Sequence, residues 1–258
     1  MDQIGRKKRR TINGNALRTW ALLFLTAGVI GRGLIQNHIL GVGQMTAQQL
    51  LDVMGSSQQA MRLVTCSLVL QALETCAVPL YAVMLVEGVQ HTSSFSAYFK
   101  RILTLALLCE IPYNLAMNCR FLALDNRNPV FALVMCLIML YMFSRFPEGK
   151  KFSGLMRAVV SVAAILWCEM LKIEFGSATI LITAVMWAFR KNTLYRNFAG
   201  AAAAIVCTVM SMYFLAAPMA FMIIHGYDGE KSTNSRKVNY LAYPVVLMAA
   251  VVASFVLK

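Results

Sequence analysis

The chain has 258 residues, 59% of them hydrophobic and only 14% charged, with a mean hydropathy of +0.64. A soluble domain of this size carries roughly 25% charged residues. Apolar runs of about 20 residues, each able to cross a hydrocarbon core of roughly 30 Å, recur from end to end and predict one polytopic α-helical membrane domain over residues 1–258. The short alternating segments of a β-barrel are absent. The net charge of +13 lies between the apolar runs, so it reports topology and contact with the lipid bilayer, and no nucleic-acid partner is expected.

Residues 1–16 carry the run RKKRR and read as a basic cytosolic N-terminal segment. The apolar stretch at 17–35 is too long for a signal-peptide core and lacks a small-residue cleavage pattern, so a retained first helix is expected there. A polar stretch at 36–60 is expected to hold a short interfacial helix over 47–54. The second helix is expected over 63–87, bent or broken at Pro79. The third follows over 98–117, with Pro112 near its end. Pro129 suits a first helical turn and places the fourth over 129–143. Further helices are expected over 155–171, 175–189 and 198–215, then a short apolar piece at 219–224 and a last helix over 240–257. The fold class is all-α, a bundle of about eight transmembrane helices. Two crossings within 198–224 would make nine, each half being short. With the N-terminus inside, Lys and Arg concentrate in the inner segments, which puts both termini in the cytosol under the count of eight. The basic stretch 228–237 is the exception and falls outside.

Ionisable groups at membrane depth are costly, so each is a site hypothesis. Glu74 lies midway along the second expected helix, Arg32 late in the first, and Glu110 midway along the third; Glu169 and Glu174 flank the outer end of the fifth. The plain alternative is buried pairing, Glu74 or Glu110 with Arg32 or Arg101. Pro112 frees a backbone carbonyl near Glu110, and Asn114 adds a hydrogen-bonding group one turn on. His91 has the ring chemistry of a general base or acid, its alternative being a solvated loop residue. The 7 cysteines form no CxxC pair and read as small buried thiols, so no metal site is expected. No phosphate-binding loop, GxSxG, HExxH or dinucleotide-binding glycine pattern occurs.

The stretch "VPLYAVMLVEGVQHTSSFSAYFKRILTLALLCEIPYNLA", followed by "NPVFALVMCLIMLYMF", resembles the TraX family of bacterial membrane proteins. The resemblance rests on Pro79, Tyr81, Glu87, Gly88, His91, Thr92, Tyr98, Arg101, Glu110, Pro112, Tyr113, Asn114 and Asn128 in order and spacing. A weaker echo lies in "EFG" at 174–176 and in the Tyr-Pro of the last helix. The family's founding activity, N-terminal acetylation of a conjugative pilin, implies a membrane acyltransferase in the bacterial cytoplasmic membrane using acetyl-CoA or another acyl-CoA. His91, Glu110 and Glu87 are then the catalytic candidates. Arg101, Asn114, Tyr98, Asn128 and Glu74 are the candidates for binding substrate or cofactor. The chain departs from the family pattern at two places: Gly28 and Val29 stand where an Asp-His pair is usual, and Val246 stands where the closing Tyr-Pro segment carries His. Valine neither accepts nor carries a proton. The first reading is therefore a non-catalytic or divergent relative, acting on a membrane protein partner. An active N-acetyltransferase with a peptide or small-amine acceptor, and a transporter or flippase using Glu74, Arg32 and Glu110, are the alternatives.

Overall fold

The computed structural model describes residues 12–41, 47–229 and 236–256. The basic run at 6–10 and most of the stretch 228–237 lie outside the described residues. Helix α1 (Gly14–Gly28) opens on Asn13, whose Oδ1 accepts from the Ala16 amide at 2.9 Å. It continues without a break into a wider π-helical segment, Val29–Ile39. Short α2 (Ala47–Ser56) follows.

Helices α3 (Gln58–Glu74) and α4 (Ala77–His91) make one crossing, broken at Thr75 and Cys76. Pro79 is the cause: it has no amide to give the Thr75 carbonyl, and its ring crowds that carbonyl. The Val78 amide takes the Thr75 carbonyl instead, at 3.2 Å. The Thr75 hydroxyl and Cys76 thiol then donate to the carbonyls of Tyr213 and Ala216, at 3.0 and 3.1 Å. Helix α5 (Phe95–Asn118) absorbs Pro112 without breaking and closes on Cys119 in the left-handed conformation, φ 53°. Helices α6 (Val130–Arg145), α7 (Ser153–Met170), α8 (Gly176–Ala188) and α9 (Thr193–Val206) follow, joined by short turns.

The stretch 198–224 makes two passes. After α9 the chain turns through short 3₁₀ pieces and returns in α10 (Ala220–Gly226). The 3₁₀ helix rises about 2.0 Å per residue against about 1.5 Å for the α-helix, so few residues are needed for the return. The end of α10 pairs with the start of the chain: the Ile12 amide donates to the Gly226 carbonyl at 3.1 Å, and the Asp228 amide to the Ile12 carbonyl at 3.0 Å. Helix α11 (Arg236–Val256) begins at this same end, with Tyr240 beside Arg18 and Tyr98, and runs away from it. The path through 198–226 is that of the nine-helix alternative, and the described residues Ile12 and Val256 therefore lie at opposite ends of the bundle.

Among the described residues there is no β-strand. One isolated bridge joins Ile12 to Tyr227 and another joins Arg127 to Ile173 at the far end. One apolar core is built on α5, α6 and α11 with the π segment, and a second joins α1, α4, α8, α9 and α10. Large apolar side chains remain exposed in outward stripes, such as Leu155, Val159, Val162 and Leu166 on α7. That spacing is one face of a helix, and a belt of such faces suits lipid. Gly14–Ile39, Gln58–His91 and Ser153–Met170 are long and apolar enough to cross a membrane.

Candidate functional site

Helices α1, α4, α5 and α11 enclose a cavity of about 600 Å³. Its mouth lies at the Ile12 end of the bundle. The first turns of α1 bring Asn15 and Arg18 there, the end of α4 brings Glu87 and His91, and the start of α5 brings Tyr98 and Arg101. Leu22, Leu25, Leu85, Ile102, Leu105 and Leu133 wall it further in. Glu74, Tyr81 and Tyr243 form its floor. Seventeen residues along the α3–α4 crossing, at about 1.5 Å each, separate the His91 and Glu74 backbones by about 25 Å.

At the mouth, Gly88 lets α5 lean on α4: a Cβ there would lie 2.7 Å from the Tyr98 hydroxyl. His91 Nδ1 is 2.9 Å from the Glu87 carbonyl. That oxygen only accepts, so Nδ1 carries a proton and donates to it. The Glu87 carboxylate accepts from Arg196 at 3.3 Å and from the Tyr227 hydroxyl. It therefore anchors α4 to α9 and α10. Arg18 and Arg101 meet no carboxylate among the described residues. The Arg101 guanidinium lies 5.8 Å from the Tyr98 ring centroid. Guanidiniums at a cavity rim have a donor geometry that suits phosphate oxygens.

The floor is arranged differently. Glu74 is 3% exposed, and no hydrogen bond reaches its carboxylate among the described residues. It fits because position 28 is glycine: a Cβ there would overlap the Glu74 carboxyl group. Tyr243 is an electrostatic neighbour of both Glu74 and Tyr81. Val29 and Val246 pack into the first apolar core, so neither brings a polar group to this place.

Glu110, Asn114 and Asn128 line neither this cavity nor the second one, of about 370 Å³, at the far end. They belong to a ladder along α5. Asn118 donates to Asn114 at 3.1 Å, Asn114 to Glu110 at 3.4 Å, and the Asn128 amide to Glu110 at 3.4 Å. Asn128 also caps α6, its Oδ1 accepting from the Val130 amide at 2.9 Å. The ladder ends at Asn126, Tyr113 and Glu174. Glu174 takes Arg32 on one carboxylate oxygen and the Tyr113 hydroxyl on the other. Arg32 thus pairs with Glu174, not with Glu74 or Glu110. The turn that presents Glu174 holds Lys172 and Phe175 at φ 50° and 56°, a left-handed backbone rarely adopted by such residues. The Arg127–Ile173 bridge fixes it from outside. Glu74 lines the first of these two cavities, Arg32 lines the second, and Glu110 lines neither.

Arg18, Tyr240 and Tyr243 are site residues that sequence reading missed. Arg18 looked like one more topological cation. The family-like Tyr-Pro of the last helix drew notice to Val246, whereas the side chain that reaches the cavity is Tyr243, beside the proline. No curated protein and no solved structure matches this chain. The pattern of TraX protein, by contrast, matches residues 14–254, almost the whole described bundle including every residue lining the cavity. A membrane bundle that carries this site over that full length belongs to the TraX family.

Proposed function

We propose that the protein is a divergent acyltransferase of the bacterial cytoplasmic membrane, taking acyl-CoA into the cavity and serving an amine acceptor, a peptide or small molecule. The observation that carries this is the cavity itself: deep, with two guanidiniums at its mouth that meet no carboxylate among the described residues and a buried carboxyl at its floor. The mouth end also holds Lys100, Arg145, Arg190, Lys191 and Arg196, and this excess of positive charge supports a cytosolic mouth. Arg18 and Arg101 would hold the phosphates, His91 would contact the bound cofactor through Nε2, and the leucine-lined walls would hold the thin arm. Bound there, acyl-CoA supplies an acyl thioester. His91 lies too far from the floor to share a substrate atom with Glu74, so it serves as a binding group at the mouth. Glu87, tied to Arg196 and Tyr227, positions α4.

A non-catalytic relative that keeps the ligand cavity is the second reading, favoured by the apolar packing of Val29 and Val246. Purified full-length protein with labelled acetyl-CoA and a peptide acceptor separates the two. Label transfer supports the enzyme. No transfer, with a CoA-dependent rise in the unfolding midpoint, supports the non-catalytic reading. Absence of both removes the cavity from consideration. Transfer that appears only after Gly28→Asp, Val29→His and Val246→His are introduced would also assign the native chain to the second reading.

A further inference from the structure

One carboxyl at the floor of the cavity has no hydrogen-bond partner among the described residues. Arg32 is committed to Glu174, which also takes the Tyr113 hydroxyl. Glu74 is then a second carboxyl beside this pair, 3% exposed, within electrostatic reach of Arg32 but with no hydrogen-bond donor among the described residues. A buried carboxyl in that condition is costly to ionise, and it carries charge where a cation completes it. Glu74 packs its carboxyl against the α1 backbone and still lines the floor of the cavity. Gly28 removes the one Cβ that would occupy the carboxyl's place. The rings of Tyr81 and Tyr243 line the same floor, and aromatic faces attract cations.

We propose that Glu74, with Tyr81 and Tyr243, forms a subsite for a primary ammonium group at the floor of the cavity. This rests on reading the cavity as a ligand site and names the group that binds deepest. The ammonium supplies a positive charge and three N–H donors to an acceptor that has no donor among the described residues. Proton transfer from the ammonium to the Glu74 carboxylate gives a neutral amine and a neutral carboxylic acid, and conserves charge and protons. It also leaves the amine with the lone pair that acceptor chemistry needs. Glycine at position 28 is then what allows a carboxylate from α3 to stand where α1 carries no functional side chain.

Thermal unfolding of the full chain in detergent micelles tests this without any transfer reaction. Hexylamine at millimolar concentration is expected to raise the midpoint by several degrees, while hexanol and hexanoate do not. Glu74→Gln keeps the shape and removes the charge, so it is expected to fold and to lose the hexylamine response. An equal hexylamine response in native protein and Glu74→Gln overturns the proposal, as does no response in the native protein. A response to sodium ions in place of hexylamine overturns the ammonium assignment. Should Glu74→Gln fail to fold, the comparison of hexylamine with hexanol on native protein still decides. An amine response with no acyl transfer leaves this subsite standing while the acyltransferase reading falls.

Discussion

Replacing Glu174 by Ala strands Arg32 inside the bundle and removes the acceptor of the Tyr113 hydroxyl. Breaking one partner of a buried ion pair costs about 3–5 kcal/mol. The Arg32 side chain keeps 24% of its exposure and Glu174 only 9%, so some water reaches the cation from the far-end cavity. The cost should therefore fall at the lower end, about 3 kcal/mol. For a chain of this length, each kcal/mol moves the midpoint by about 2–4 °C, which gives a drop of roughly 6–12 °C. Thermal unfolding in detergent micelles, followed by helical circular dichroism, reads it. Arg32→Met combined with Glu174→Leu removes both charges and should recover most of the loss, because a buried pair contributes little beyond an apolar replacement. A Glu174→Ala midpoint within about 2 °C of native, or a double variant as unstable as the two single losses combined, would refute the reasoning.

Three further outcomes follow from the geometry. Gly28→Ala drives a methyl into the Glu74 carboxyl and should cost about 1–3 kcal/mol by overpacking; adding Glu74→Ala in the same chain should relieve most of it, read by the same unfolding assay. His91→Ala should raise the KM for acyl-CoA with kcat nearly unchanged, whereas a fall in kcat of about 100-fold or more would restore His91 as a general base. Glu148 accepts from Lys191 at 2.5 Å and Arg190 at 2.6 Å, and those hydrogen bonds hold its carboxyl down at about 2. Because the folded value lies below the unfolded one, near 4.3, Glu148 adds stability above that pH and loses it as pH falls toward 2. The advantage of native protein over Glu148→Gln in unfolding midpoint should be full at pH 6 and vanish near pH 2.

Much of the bundle is legible in the sequence because lipid leaves so few choices. A buried backbone in hydrocarbon must bond within its own helix, so long apolar runs become helices, and Pro79 breaks one where expected. The crossing at 207–226 was harder to read. Its 3₁₀ turns are tighter and longer per residue than an α-helix, so the return pass is too short to register as a span. Only the pairing of Ile12 with Gly226 and Asp228 reveals that the chain has come back.

The site was legible in part. His91, Glu87, Tyr98, Arg101 and Glu74 converge on one cavity, while Glu110, Asn114 and Asn128 hold the α5–α6 corner together. Residue type and spacing do not separate these groups, since Glu74 and Glu110 are both mid-helix acids. What separates them is the neighbour. Glu110 faces asparagine donors one turn away on its own helix and at the start of the next. Glu74 faces a glycine on α1, two tyrosines and the cavity.

The most direct measurement is binding of CoA to the full chain in micelles, by calorimetry or by its effect on unfolding. The account predicts that native protein binds CoA and that Arg18→Gln combined with Arg101→Gln abolishes binding while leaving the unfolding midpoint without ligand nearly unchanged. No binding by native protein, or binding of equal strength by the double variant, would contradict a cavity built to admit acyl-CoA at this mouth.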